Sequence, residues 1–420
     1  MRVLYLNFDR GIPVLGDKGG SVHVRAVVSA LARLGHDVTL LCSRAGSGNA
    51  APPGRLIELA PAADVAAVAE MARRHGLGDA ASGTAALRRE LEVLAHDRTL
   101  PARALAALHA GGVRPDLIYE RHALFHRAGA ALAAALGVPR ILEVNAPLAE
   151  EAARHRGLML RDLAQAQEAE SWRAAMLAIA VSEPVRVHLR VAGVPDGRIL
   201  VAPNGVDTRL FHDDPAAAAA VRRAHRLGDD PVAGFVGSFK AWHGVDTLID
   251  AVARLRAIRP RLRLLAVGEG PMLAAARDEA AARGLGEAAV FTGAVPHAEV
   301  PAHLAAMDFS VAPYAAQPGF YFSPLKVVES LAAGRAVVAP RIGQIAALVD
   351  DGATGLLYPP DEPQACAAAM RRLLDEPGLC GRLGAQAAVR ARATWDWTAL
   401  VGRVLAHPAV RAAASAEAVA

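Results

Sequence analysis

An apolar run that ends in glycine and gives way to a helical pattern recurs along this chain. The first instance opens with MRVLYLNF, bends through DRGIPVLGDKGG and continues as SVHVRAVVSALARLG before HDVTLLC. Val24, Val27, Val28, Leu31 and Leu34 recur at spacings of three and four, which places them on one helix face, and Gly35 with His36 ends the pattern. An apolar run, a helix and a second apolar run make a parallel βαβ unit, because parallel neighbours need a crossover of this length. Further strands follow at PDLIYER (115–121), GVPRILEVN and MLAIAVS (176–182), so the first half reads as an open α/β sheet.

A second series starts after RILVAPNGVDTRLF (198–211). PVAGFVGSF, RLRLLAVGEG, AAVFTG, DFSVAPY and AVVAP read as strands, with helical patterns between them. The fold class expected is therefore α/β, with two Rossmann-like domains facing across an interdomain cleft. The boundaries expected are 1–203 for the first domain and 204–395 for the second, with a helix at 396–412 packing back on the first. Between about 51 and 112 the alternation weakens into Ala, Arg, Glu and Leu, which reads as an insertion of surface helices. The final AAASAEAVA reads as a frayed tail.

Composition narrows the functional classes. At 420 residues, 53% hydrophobic and 21% charged, the chain is long and apolar enough for two cores and is not a disordered segment. A net charge of +4 spread along the chain gives no nucleic-acid footprint. Cys42, Cys366 and Cys380 are too few and too scattered for a disulfide framework or a zinc site. The start lacks a charged segment followed by a long apolar one, and no window is apolar enough to span a bilayer. The expectation is a cytoplasmic protein with at most peripheral membrane contact.

Three glycine-rich strand ends carry the chemistry. Gly16, Gly19 and Gly20 precede the first helix, where backbone amides face outward, an arrangement that suits an anion or a plain tight turn. The spacing is not that of a dinucleotide fingerprint. In GFVGSFKAWHG, Gly237 ends a strand and Lys240 and His243 lie in the turn that follows; Trp242 is either a lid or core. In FYFSPLKVVESLAAGRAVVAP, Ser323 is placed to cap a helix with Pro324 at its first position, which leaves the amide of Leu325 facing an anion. Lys326 and Glu329 are three apart and share a face, either as a surface ion pair or as groups for a phosphate and a ribose diol.

The blocks VGSFKAWHGVDTLI, LLAVGEGP, VFTGAVPHAEVPAHLAAMDFSVAPY and SPLKVVESLAAGRAVVA, in this order, resemble the retaining glycosyltransferases of family 4, which have the GT-B fold. DKGGSVHVRAVVSALARLGHDVTLL and VAPNGVDTRLF are similar to the same family. The resemblance implies that the second domain binds a nucleotide-diphosphate sugar, with a UDP-sugar as the expected donor, and that the first binds the acceptor. It places Glu329 on the ribose hydroxyls, and Gly268, Glu269, Gly270 and Val295 on the nucleoside pocket. Gly19 and Gly20 match the loop that approaches the donor phosphate.

Departures from the family pattern shift the expected roles. Tyr321 stands where the first Glu of the Glu-x7-Glu motif contacts the transferred sugar, and the Arg and Lys phosphate clamp falls on Ser238 and His243. Lys240 and Lys326 are then the candidates for the missing positive charge, and His243 for a bond to a phosphate oxygen. Asn145 replaces a family histidine; with Glu143 it is a sugar-contact candidate, and a helix cap is its competing role. Glu143 is also the carboxylate that a double displacement would use. No Asp-x-Asp pair is present, so neither a metal nor another cofactor is expected beyond the donor itself. The reaction expected is glycosyl transfer with retention to a hydroxyl of a glycan, lipid-linked sugar or small natural product. The rivals are a nucleotide-sugar epimerase or hydrolase, and a catalytically silent binding subunit.

Overall fold

The computed structural model describes residues 1–61, 64–77, 84–317 and 320–417. It divides into two compact units, one formed by Met1–Pro203 with Leu400–Ala420 and one by Asn204–Ala399.

The first unit runs β1 (Arg2–Asn7), α1 (Gly19–Arg33), β2 (Asp37–Cys42), β3 (Arg55–Glu58), α2 (Val65–Arg74), α3 (Ala85–Ala110) and β4 (Leu117–Arg121). It continues with α4 (Ala128–Leu136), β5 (Arg140–Val144), α5 (Leu148–His155), α6 (Arg161–Arg173), β6 (Leu177–Ala180), α7 (Glu183–Val191) and β7 (Ile199–Val201). The strands form one parallel sheet in the order β3-β2-β1-β4-β5-β6-β7. Five of the six β1 residues and all five of β5 are buried, which is why these strands read as continuous apolar runs: helices cover both faces. The strand order reverses between β1 and β4, and a crevice opens at the carboxyl ends of strands at such a switch point.

The segment from 51 to 112 differs from the expected insertion of surface helices. Residues Arg55–Glu58 pair with β2 in parallel as the edge strand, from Thr39 opposite Arg55 to Cys42 opposite Glu58. Helix α3 sends Leu100, Ala104 and Leu108 into the same core as Leu4, Leu6 and Ile118. A four-residue strand between turns leaves little periodicity to detect, and Pro101 inside α3 breaks the helical signal where the buried face is richest.

The second unit runs α8 (Pro215–Ala224), β8 (Val232–Val236), α9 (Val245–Arg256), β9 (Arg263–Val267), α10 (Leu273–Ala282), β10 (Ala289–Gly293) and α11 (Val300–Ala305). Then come β11 (Phe309–Val311), α12 (Leu325–Ala332), β12 (Ala336–Pro340), α13 (Ile345–Leu348), β13 (Gly355–Tyr358), α14 (Pro363–Asp375) and α15 (Leu379–Thr394). Its six strands are parallel in the order β10-β9-β8-β11-β12-β13, so here the switch point lies between β8 and β11.

This unit is closed by its own ends. Val206 donates its backbone N–H to Trp395 (2.8 Å) and accepts from Trp397 (3.1 Å), and the Thr208 hydroxyl donates to Asp396 (2.8 Å). Both tryptophans are buried there. Helix α16 (Trp397–Leu405) then carries the chain into the first unit, and α17 (Pro408–Glu417) keeps the expected frayed tail helical as far as Glu417; residues 418–420 lie outside the described residues. Among the described residues no helix is long and apolar enough to cross a membrane.

Candidate active site

At the switch point of the second unit, the loops after β8 and β11 bring together Gly237, His243, Tyr314 and Lys326. Lys326 lies in the first turn of α12, with its Nζ 4.3 Å from the centre of the Phe235 ring and 4.8 Å from that of Tyr314. That Nζ is enclosed and makes no hydrogen bond. Burial lowers its pKa from 10.5 to about 7, and the nearby Glu329 carboxylate offsets only part of that cost. A cation that is neither solvated nor paired is expensive, and the two ring faces return a fraction of the loss.

The glycines around it are required by close approach. Gly237 has φ +144°, and Gly268 has φ +130° with the Gly237 carbonyl only 2.0 Å from where a β-carbon would stand. The two strand ends are laced by backbone bonds from Gly237 to Val267 (2.9 Å), from Phe239 to the Glu269 carbonyl (2.8 Å) and from Met272 to Phe239 (2.9 Å). The Glu269 carbonyl is thus part of this lacing, and Gly270 adopts φ +153° against Phe239.

Several expected roles change. Ser323 does not cap α12: the cap position is Pro324, and the Ser323 hydroxyl instead accepts from the Asn204 backbone (2.8 Å). The Asn204 side chain donates to the Ser323 carbonyl as well (2.9 Å), which pins the approach to the helix. The buried serine is engaged by Asn204 and not by the helix amides, so the amides of the first turn, beginning at Leu325, stay uncapped by a side chain. The structure does not present His243 as the expected phosphate donor. Its Nδ1–H donates to the Ser238 carbonyl, and burial with the charges of Lys326 and Lys240 pushes its pKa down to about 3. The ring is neutral, so Nε2 offers a lone pair and repels a phosphate oxygen.

Lys240 is exposed and lies over the Trp242 ring at 4.8 Å, outside the aromatic box that holds Lys326. Trp242 is half-buried, and its carbonyl accepts from Ala315 (3.2 Å). Tyr321 is buried and tilted against Phe322, with ring centres 4.5 Å apart. Glu329 is buried on α12, and one of its oxygens meets His297 Nε2 at 3.0 Å. Val295, two residues earlier on the same loop, leans on the hydrophobic core.

In the first unit Glu143, at the end of β5, is enclosed by donors. His23 Nε2 (2.5 Å), Asn145 Nδ2 (2.5 Å), the Tyr119 hydroxyl (3.0 Å) and an Arg121 guanidinium nitrogen (3.3 Å) all reach its carboxylate. Burial alone would raise its pKa, but His23 and Arg121 with the Asn145 bond outweigh that and hold it at about 2. Asn145 is thus bound to Glu143 and is not a helix cap: the amides of Leu148 and Ala149 at the start of α5 go to Glu168. Gly19 and Gly20 open α1, whose cap residue Lys18 makes no side-chain cap bond.

His23, Arg121, His297, Tyr314 and Asn204 escaped the sequence reading. Each is defined by a partner far away in the chain; His23, Asn204, His297 and Tyr314 stand inside the blocks that resemble the family, but nothing in those blocks shows which side chains they meet. Among the described residues no three His, Cys, Asp or Glu side chains are grouped to hold a metal ion.

Comparison with known proteins agrees with this architecture. The family description "Glycosyltransferase Family 4" matches residues 18–210, and "Glycosyl transferases group 1" matches residues 230–376. A GDP-mannose-dependent alpha-(1-6)-phosphatidylinositol monomannoside mannosyltransferase of Mycolicibacterium smegmatis is 34% identical over 52% of this chain, which spans only 58% of that relative's length. A glycogen synthase of Mycobacterium tuberculosis is 29% identical over 94% of this chain and 92% of its own. Among solved structures, Anabaena HepE in complex with UDP superposes with a TM-score of 0.69 at 18% identity, covering 97% of this chain and 99% of that one, which is a likeness of fold. With both halves matched in order and both sheets wound as that fold requires, the chain belongs to glycosyltransferase family 4 and has the GT-B fold.

Proposed function

We propose that this protein transfers a glycosyl group from a nucleoside-diphosphate sugar to a hydroxyl acceptor, with retention of the anomeric configuration. The observation that carries the reading is the enclosed, unpartnered ammonium of Lys326 at the switch point of the second unit. A diphosphate supplies the anion that this cation lacks, and the uncapped first turn of α12 favours the same charge. As the anomeric bond breaks, negative charge gathers on the departing phosphate. Lys326 and the amides beside it are held in place by packing, so little reorganisation accompanies the reaction. Glu329 takes the ribose hydroxyls, and the neutral His243 offers Nε2 to a hydroxyl proton.

Of the two routes to retention, the state of Glu143 favours same-face attack over double displacement. Double displacement requires a free carboxylate, and this one is bound by four donors. Same-face attack, with the leaving phosphate taking the acceptor proton, needs no such group. The donor proposed is a UDP- or GDP-hexose, since one relative is named for GDP-mannose and the Anabaena structure holds UDP. The acceptor proposed is a glycan or lipid-linked sugar, in keeping with the names of the two relatives.

The test is incubation with UDP-glucose and GDP-mannose against glycan and glycolipid acceptors, with the product's anomeric configuration read by NMR. Retained configuration in an acceptor-dependent product is expected. An altered donor sugar formed equally fast without acceptor favours an epimerase or hydrolase, and binding without turnover favours the silent subunit.

A further inference from the structure

We infer that His297 is a positioning residue for the nucleoside end of the donor: by holding one oxygen of Glu329, it aims the other at the ribose diol. The inference rests on the reading of Glu329 as the ribose clamp. His297 lies in the short turn His297–Glu299 that follows β10, and its Nε2 is 3.0 Å from Glu329 Oε1. Phe211 backs the ring, with centres 5.5 Å apart. The imidazole is therefore fixed from behind by an aromatic side chain and from the front by the carboxylate.

Glu329 is nearly closed off, with 12% of its side chain exposed, whereas His297 keeps 28%. A carboxylate that swings freely can offer either oxygen in many directions. One that is anchored at Oε1 presents Oε2 in a single direction, and one oxygen with two lone pairs can accept from two adjacent hydroxyls. A bidentate diol contact is the feature that separates a ribonucleotide from its 2′-deoxy counterpart, so the anchor should appear as discrimination between them.

The experiment measures calorimetric affinities of UDP, GDP and their 2′-deoxy forms for the full chain, using whichever base binds more tightly. Wild type, H297A, H297Q and E329A are compared, with thermal melts to confirm folding. Wild type should favour the ribonucleotide by tenfold or more. H297A should lose most of that ratio, and H297Q, which keeps a donor near the Nε2 position, should recover part of it. A ratio unchanged in H297A but lost in E329A overturns the role of His297 alone. A ratio unchanged in E329A, or absent from wild type, overturns the ribose reading of Glu329 and this inference with it.

Discussion

The ammonium of Lys326 occupies space that any side chain at position 237 would need: a β-carbon on Gly237 would stand 2.6 Å from Lys326 Nζ. The glycine that ends β8 and the lysine that begins α12 are thus one device, although they are distant in the chain.

Gly237→Ala carries two penalties. The backbone at φ +144° disfavours any L side chain, and the lysine must leave its place between Phe235 and Tyr314. The variant should lose about 1–3 kcal/mol of stability, and its donor KM should rise by more than that loss alone implies once assayed well below its melting temperature. Thermal unfolding and initial rates across donor concentration check both parts.

Lys326→Met separates stability from function. In the folded protein Lys326 holds its proton only to about pH 7, against an ordinary 10.5. The unfolded chain therefore binds the extra proton between those values, and this group's contribution to stability improves as pH rises from 7 towards 10.5. Methionine removes a poorly solvated cation, so the variant should melt at or above the wild-type temperature near pH 6 while its kcat falls a hundredfold or more. Donor affinity of the wild type should move the opposite way to stability: a bound diphosphate favours the charged lysine, so affinity weakens as pH rises above about 7. Melting curves and donor titrations from pH 6 to 9 provide the comparison.

Glu143→Gln tests whether the carboxylate is structural. Its pKa of about 2, below the ordinary 4.5, contributes stability above pH 4.5 that is lost as pH falls towards 2. The amide leaves His23 and Arg121 without their buried anion, a loss of about 3 kcal/mol. Activity per folded molecule should stay within about tenfold of wild type; a complete loss with the fold intact would assign Glu143 to the chemistry.

Asn204→Ala releases the segment before α12. Two hydrogen bonds to Ser323 disappear, at a combined cost of about 1–3 kcal/mol. Because the segment leads directly to Lys326, donor KM should rise more than kcat falls. Equal losses in both would make Asn204 a matter of global stability.

Much of this was legible in the sequence because parallel strands covered on both faces leave unbroken apolar runs, as in Val232–Val236, and because glycines mark their ends. Lys326 and Glu329 could be paired on one face from spacing alone. What remained hidden depended on distant partners. Ser323 resembled a cap until Asn204, 119 residues away, took its hydroxyl. His243 resembled a phosphate donor until the Ser238 carbonyl fixed its tautomer. Glu143 carried no sign in sequence of the four groups that enclose it, and β3 was too short to show a period.

The most direct measurement is calorimetric titration of wild type and Lys326→Met with UDP and GDP at pH 7, in two buffers of different ionisation enthalpy. The expected result is proton uptake on binding to the wild type, and binding at least tenfold weaker, without uptake, in the methionine variant. Equal affinity for the two proteins, with no proton exchanged by either, would contradict the claim that Lys326 meets the diphosphate.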